Sequence, residues 1–188
     1  MALLLKIAKW LQQLSTGAAK VSVWLILALM LVIVTDVTLR HWFVIGSTKL
    51  QELEWHLHGA LFLMCLGWAY TKNAHVRIEL LSEKLSKRGA AIVEMLGCLL
   101  FLLPYVAAIL IFGFDYMAFS LEYNEASASA TGLPNRWIIK SFILTGFCFL
   151  GIAALSRFFE SLVYLFGDKK LAEQTFFAQN NDHQQGAA

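Results

Sequence analysis

The sequence predicts an all-α integral membrane protein, with four transmembrane helices preceded by an amphipathic interfacial helix. Of its 188 residues, 59% are hydrophobic and 15% are charged, and the mean hydropathy is +0.63. A soluble domain usually has about half apolar and about a quarter charged residues. The composition therefore excludes a disordered chain and an ordinary soluble enzyme. The net charge of +2 is too small to attract an anionic polymer, so no nucleic acid partner is expected.

The second observation is that four stretches of the chain carry no Asp, Glu, Lys or Arg. They contain 15, 17, 20 and 16 residues, at 21–35, 55–71, 95–114 and 141–156. A bilayer core about 30 Å thick needs about 20 mostly apolar residues in a helix, so flanking residues must complete the two shortest stretches. We predict spans at 21–39, 55–71, 92–114 and 137–157, with the last helix running on to 166, in a membrane domain of residues 18–166.

The two ends of the chain differ from this membrane domain. Residues 1–17 have apolar side chains at helical spacing (Leu3, Leu4, Ile7, Leu11 and Leu14) with Lys and Gln on the other side. This pattern is typical of a helix that lies on the membrane surface, although a soluble helix packed on the protein itself has the same pattern. Residues 167–188 are polar and are predicted to form a disordered cytoplasmic tail.

The distribution of Lys and Arg predicts the orientation. Eleven lie in the two termini and the loop between spans 2 and 3, and four lie in the other two loops (Arg40, Lys49, Arg136 and Lys140). Because basic residues are retained on the cytoplasmic side, both termini are predicted to be cytoplasmic. The loops at 35–54 and 115–136 are then extracytoplasmic.

Polar side chains gather at the ends of the spans. Span 2 opens with two Glu–His pairs at i, i+4 spacing, Glu52–His56 and Glu54–His58. These pairs are about 200° apart around the helix, so they cannot both face the same neighbour. They form either a partly solvated ladder at the membrane boundary or, for one pair, a helix anchor together with Arg40, which ends span 1. In the second case, we predict that Arg40 and Glu54 meet at the outer ends of spans 1 and 2 and fix the two helices against each other or against a partner.

Two other kinds of site can be considered for the histidines. His41, His56 and His58 lie near the same membrane face and could supply axial ligands to a b-type haem, but no span has a histidine well inside the bilayer. A zinc site would need a cysteine or spaced-histidine pattern that is absent. The sequence therefore predicts no metal and no cofactor, and a haem-bearing membrane anchor of an oxidoreductase is the alternative function.

The acidic residues of the third loop suggest a docking surface. Asp115, Glu122 and Glu125 lie in a segment without basic residues, from Asp115 to Asn135. The helical spacing of Asp115, Phe119 and Glu122 predicts that span 3 projects beyond the bilayer. An acidic projection can steer a soluble partner. A plain connecting loop is the other interpretation of the 124–135 segment.

Several motifs, in this order and spacing, resemble one family. They are Arg40, then 51–55 (QELEW), 65–67 (CLG), 73–79 (NAHVRIE), 103–104 (LP), 125–127 (EAS), 132–134 (GLP) and 137–141 (WIIKS). Over roughly residues 18–165 the chain resembles the DctQ-type small permease subunit of tripartite ATP-independent periplasmic (TRAP) transporters. It departs from the family pattern at Glu79, where Asp is common, and at Leu53, which separates two acids that are usually adjacent. Glu54, rather than Glu52, aligns with the acid of the family.

The resemblance implies a non-enzymatic, multi-pass subunit of the inner membrane. Its implied partners are a large permease subunit, which carries out sodium-coupled transport, a periplasmic substrate-binding protein that delivers an organic acid, and membrane lipids. The small subunit is then a fixed scaffold. We list as candidate subunit-interface residues Arg40, Glu54, His58, His75 and Arg77, and as candidate docking residues Asp115, Glu122 and Glu125. A self-sufficient carrier is not favoured, because no span has a charge near its middle.

Overall fold

The chain forms long helices in a computed structural model, which describes residues 1–72 and 86–179. The described residues contain no strand, so the predicted all-α class is confirmed. In chain order, the helices are α1 (Ala2–Ser22), α2 (Trp24–Trp42), α3 (Thr48–Thr71), α4 (Lys87–Gly97), α5 (Leu103–Glu122), α6 (Trp137–Phe166), α7 (Lys169–Ala172) and α8 (Phe176–Gln179). Loops that follow α2 and α5 lie close to the predicted span boundaries.

Three helical stretches of the described chain are long and apolar enough to cross a membrane. They are Ala2–Trp42, Lys87–Glu122 and Trp137–Phe166. The stretch at the N-terminus joins α1 to α2, since only Val23 separates them and its backbone is itself helical. The helix therefore runs past the predicted boundary at residue 17. The second predicted span corresponds to α3, which has 24 residues but begins with charged turns.

A π-helical turn, Cys98–Leu102, lies between α4 and α5. Pro104 lies two residues after the end of this turn. A proline has no N–H to donate, and its ring crowds the carbonyl group four residues earlier. The wider turn accommodates that carbonyl group without ending the helix: the Leu103 N–H donates to the Cys98 carbonyl oxygen instead. The 36-residue helix from Lys87 to Glu122 is therefore continuous through its proline.

The first of two compact units comprises Met1–Ser15, Gly67–Val106 and Leu150–Ala188. Its buried apolar residues are mostly small: Leu5, Ala8, Ala91, Cys98, Val106, Leu150, Ala153, Ala154 and Val163. Small side chains let helix backbones approach each other closely. At one such approach the Ser156 hydroxyl group donates to the Ala8 carbonyl oxygen over 2.8 Å, which joins α6 to α1.

The second unit comprises Thr16–Leu66 and Ala107–Phe149. Here α6 contacts α3 through Gly146, where an added Cβ would lie 2.6 Å from the Leu63 carbonyl oxygen. At Gly113 of α5 an added Cβ would lie 3.2 Å from a methyl group of Leu144. Glycine at these two positions therefore permits close packing of α6 against both neighbours.

Residues 167–179, the described part of the chain beyond Phe166, differ from the disordered tail that the composition predicts. Residues 169–179 include α7 and α8, and the Thr175 side chain is buried. The physical reason is aromatic packing: the Phe177 ring lies 5.5 Å from the Tyr164 ring, centroid to centroid. Two aromatic residues within a polar sequence are enough to attach this segment to α6.

Candidate functional site

The loop between α5 and α6, residues 123–136, is folded on itself. Two backbone hydrogen bonds close it. The Ser127 N–H donates to the Leu133 carbonyl oxygen and the Arg136 N–H donates to the Glu125 carbonyl oxygen, each at 3.0 Å. Asn124 and Asn135 have φ of 44° and 60° at the two ends, a left-handed conformation that asparagine tolerates well. The 123–136 loop therefore has a defined conformation that its own backbone hydrogen bonds stabilise.

Glu52, in the second turn of α3, anchors the 123–136 loop. One carboxylate oxygen accepts a hydrogen bond from the Ser127 hydroxyl group, and the other accepts one from the Leu133 backbone N–H at 2.6 Å. A third bond runs from the Thr131 hydroxyl group to the Thr48 hydroxyl oxygen over 3.2 Å. The first two turns of α3 thus hold both sides of the loop.

Gly132 makes this arrangement possible. A Cβ at this position would lie 2.3 Å from the Ser127 Cβ and 2.8 Å from the Glu52 Oε1. Both distances are far below van der Waals contact. The loop can close over the Glu52 carboxylate only because residue 132 has no side chain.

The hydrogen bonds to Glu52 also determine its charge. Donation from the Leu133 backbone N–H, followed by donation from the Ser127 hydroxyl group, lowers the pKa of Glu52 below its ordinary value. Hydrogen bonds to the charged form of a carboxyl group favour that form. Glu52 is therefore a carboxylate at neutral pH.

A second anchor joins the loop to α5 and α6. The buried Lys140, in the first turn of α6, forms an ion pair with Glu125. The Lys140 Nζ also lies 3.7 Å from the centre of the Tyr116 ring of α5. This ion pair lowers the pKa of Glu125. Glu125, predicted as a docking residue, is thus engaged inside the chain.

Arg40 and Glu54 were predicted to meet at the ends of spans 1 and 2, but the structure contains no such pair. Arg40 instead forms an ion pair with Asp36, one turn earlier on α2. Asp36 is 1% exposed, and its Oδ1 has no hydrogen-bond partner among the described residues. The side chain of Arg40 is 53% exposed, so its guanidinium group is oriented by Asp36 yet accessible.

The other polar residues of α3 lie near the Glu52 anchor without joining it. Glu54 is half-buried and makes no ion pair within the described chain, and His58 is exposed. His56 donates from Nδ1 to the Glu52 backbone carbonyl oxygen. The predicted Glu52–His56 contact therefore involves the backbone of Glu52, because the 123–136 loop occupies its carboxylate.

The remaining predicted residues fall into two groups. Asp115 and Glu122, on the last two turns of α5, are exposed and have no ion pair with any described residue. These two carboxyl groups therefore form an exposed acidic surface on α5. His75 and Arg77 lie outside the described residues.

At the other end of α6, Arg157 forms a buried polar cluster. Its guanidinium group donates to Glu160 over 3.3 Å and to the Thr71 carbonyl oxygen at the end of α3, and it lies 3.5 Å from the centre of the Phe176 ring. Arg157 is 2% exposed. A planar guanidinium group can satisfy all these partners at once, with its edge for oxygen atoms and its face for the ring.

The sequence alone did not predict the loop-anchoring role of Glu52, the Asp36–Arg40 pair or the Arg157 cluster. Two of them had a signal, since Asp36–Arg40 and Arg157–Glu160 have the i, i+4 and i, i+3 spacings of helix neighbours. Glu52 had none, because its partners lie 75 and 81 residues away along the chain.

The described histidines, His41, His56 and His58, are not part of any metal-binding cluster of described residues. In residues 1–72 and 86–179, no three His, Cys, Asp or Glu side chains come close enough together to hold a metal ion. None of the three cysteines, Cys65, Cys98 and Cys148, forms a disulfide. The polar residues found here instead fix helix ends and a loop.

Comparison with known families identifies one match. The family model described as "Tripartite ATP-independent periplasmic transporters, DctQ component" matches residues 29–163, well over half of the chain. The matched region includes α3, the 123–136 loop and most of α6. No curated protein matches the chain.

Proposed function

Because the chain belongs to the DctQ family of small TRAP transporter components, we propose that it is the non-catalytic scaffold of a sodium-coupled transporter for organic acids. In this proposal, a large permease subunit moves the solute, a periplasmic binding protein delivers it, and the present chain holds the large subunit in the inner membrane. The alternative of a haem-bearing oxidoreductase anchor receives no support from the family.

The observation that carries the proposal is the exposed apolar surface of the long helices. Leu31, Phe101 and Phe112 are 70%, 75% and 72% exposed, although each lies in a helix long enough to span a bilayer. Such a surface is stable only when lipid or another membrane subunit covers it. A scaffold needs a wide contact area of this kind and no moving element of its own.

We further propose that α3 is a fourth span, so that both termini are cytoplasmic. Its 17 residues from Trp55 to Thr71 contain no Asp, Glu, Lys or Arg. The charged turns before Trp55 then lie at the extracytoplasmic boundary together with the 123–136 loop, in agreement with the greater number of basic residues on the opposite side. The exposed apolar residues of α1, such as Leu3 and Trp10, can contact the cytoplasmic leaflet.

Two surfaces are proposed for the partners. Asp115 and Glu122 form the acidic surface that steers the binding protein, whereas Glu125 stabilises the loop beside it. Arg40, held by Asp36, is the strongest candidate for contact with the large subunit, because its accessible guanidinium group is already oriented. Glu54, His58, His75 and Arg77 remain candidates for the same contact.

The experiment is reconstitution. Liposomes with the large subunit, this chain and the binding protein should accumulate an organic acid when a sodium gradient is imposed. Liposomes with this chain alone should not accumulate it, since the predicted spans at 21–39, 55–71, 92–114 and 137–157 carry no charge near their middle. Accumulation by the chain alone, or full uptake by the large subunit without it, contradicts the scaffold role. A strong Soret band from purified protein would favour the haem alternative.

A further inference from the structure

The turn between α2 and α3 exposes four consecutive apolar side chains, Trp42, Phe43, Val44 and Ile45. They are 76%, 64%, 87% and 54% exposed. A turn normally consists of polar residues and glycine, and a run of three or four exposed apolar residues in one is a defect unless it has a function. We call these four residues the 42–45 turn.

The backbone holds the 42–45 turn in a strained conformation. Val44 has φ 57°, which is a genuine outlier for a β-branched residue, whereas Gly46, which could adopt it without strain, lies two residues later. The N–H groups of Phe43 and Ile45 both donate to the Leu39 carbonyl oxygen, each over 3.1 Å. These bonds complete the end of α2 and direct the turn away from the helix.

The residues on either side of the turn are basic. Arg40 and His41 precede it and Lys49 follows it, and all three are exposed. The nearest acid before the turn, Asp36, is buried and paired with Arg40, and the nearest one after it, Glu52, is buried and bonded to the 123–136 loop. The connection between α2 and α3 therefore exposes four apolar side chains with basic residues before and after them.

We propose that the 42–45 turn inserts into the headgroup boundary of the lipid leaflet next to it, with Lys49 at the level of the lipid phosphates. Tryptophan is enriched at this depth because its ring is apolar and its N–H is polar. Buried apolar area together with basic residues gives binding to anionic lipid. The strained Val44 is then maintained because it turns the side chains of the 42–45 turn towards the lipid.

Lipid, rather than the large subunit, is the occupant that the charges favour. Exposed apolar side chains are also present on α2 before the turn, where Val34 and Val37 are 61% and 56% exposed. A protein contact made in water has a polar rim on all sides, whereas the exposed charged residues that flank this turn, Arg40 and Lys49, are both cationic. Cations beside an apolar surface suit an array of phosphates.

The experiment is a depth measurement by spin labelling. Cys65, Cys98 and Cys148 are replaced by serine in the full chain, and a spin label is attached at Val44→Cys. The labelled protein is then reconstituted in phosphatidylglycerol–phosphatidylethanolamine liposomes. The label should be more accessible to oxygen than to a water-soluble nickel chelate. A label at Ser129→Cys, in the 123–136 loop, is the matched control and should show the reverse.

Three outcomes would overturn the proposal. The label at residue 44 could be as accessible to the nickel chelate as the label at residue 129, in which case the turn is in water. Addition of the large subunit could immobilise the label, in which case protein covers the turn. The double change Trp42→Ser with Phe43→Ser could leave the depth unchanged, although loss of both rings should move a label at Ile45→Cys towards water. The measurement on the chain alone does not depend on transport, so it is separable from the proposed scaffold role.

Discussion

The backbone N–H of Leu133 donates a hydrogen bond of 2.6 Å to the carboxylate of Glu52, across 81 residues of sequence. With the Ser127 hydroxyl group on the other oxygen, this bond makes the opening of α3 the support of a distant loop. The contribution of this support can be tested by removing one side chain, that of Glu52.

We expect Glu52→Ala to release the 123–136 loop, because the Leu133 N–H loses its acceptor. Limited proteolysis within the loop should become several-fold faster than in the native chain. Glu54→Ala is the matched control: Glu54 has no ion pair within the described chain, so its removal should leave the cleavage rate unchanged. Equal rates for the two variants would show that Glu52 does not support the loop.

The lowered pKa of Glu52 predicts the pH dependence of the same contact. The folded carboxyl group has a pKa below its ordinary value of 4.5, so its stabilising contribution is fully present above that value and is lost as the pH falls through the lowered pKa. The mobility of a spin label at Ser129→Cys should therefore stay constant from about pH 8 to about pH 5 and should increase only in stronger acid. In Glu52→Gln this acid transition should become smaller, and the part that remains should belong to Glu125, whose pKa is also lowered.

Glycine-to-alanine changes test the close contacts. Gly146→Ala should weaken packing of α6 on α3, because the added Cβ would lie 2.6 Å from the Leu63 carbonyl oxygen, and backbone cannot move aside as a flexible side chain can. We expect a lower Tm in detergent and less copurification with the large subunit. Gly97→Ala, where nothing lies within 4 Å of the added Cβ, should behave as the native chain does. A native Tm for Gly146→Ala would mean that the two helices are farther apart.

The Arg157 cluster predicts that charge alone is insufficient at this position. Arg157→Lys keeps the charge, but an ammonium group cannot contact Glu160, the Thr71 carbonyl oxygen and the Phe176 ring together. We expect a lower Tm and faster proteolysis of residues 168–179. Arg157→Ala should be worse, because removing one partner of a buried pair costs about 3–5 kcal/mol. The exposed Arg88 offers the control, and Arg88→Lys should be neutral.

The acidic surface of α5 predicts a kinetic effect. Asp115→Lys with Glu122→Lys should lower uptake at limiting concentration of the binding protein, since exposed charges mainly set the rate of encounter. More binding protein should restore the rate, and added salt should shrink the difference from the native complex. Glu125→Lys should behave differently, with poor expression that more binding protein does not rescue, because it breaks the pair with Lys140.

Much of the fold could be predicted from the sequence, because apolar stretches and turn residues act locally. The helices at 24–42, 103–122 and 137–166 follow from charge-free stretches, and Asn135 with Pro134 marks the start of α6. The site could not be predicted in the same way. Arg40 was predicted to meet Glu54, because both lie at the same end of neighbouring spans, but it pairs with Asp36 on its own helix.

Tertiary contacts account for the other differences. Composition predicts disorder after residue 166, yet the Phe176 and Phe177 rings attach that segment to Arg157 and Tyr164. A few aromatic contacts outweigh a polar average, and no local pattern reveals where their partners lie.

The π-helical turn at Cys98–Leu102 shifts, by one residue, the positions that share a face of the helix from Lys87 to Glu122. Ala91, Cys98 and Val106 are all buried, at successive spacings of seven and eight residues. In a regular α-helix, eight residues advance by about 80° beyond two full turns, which would carry Val106 away from the face of Cys98. The wider turn absorbs one residue, so the spacing of eight acts as seven and all three side chains share one face. Deletion of one residue between Cys98 and Pro104 would keep the three side chains on one face, but it would also remove the wider turn that accommodates Pro104.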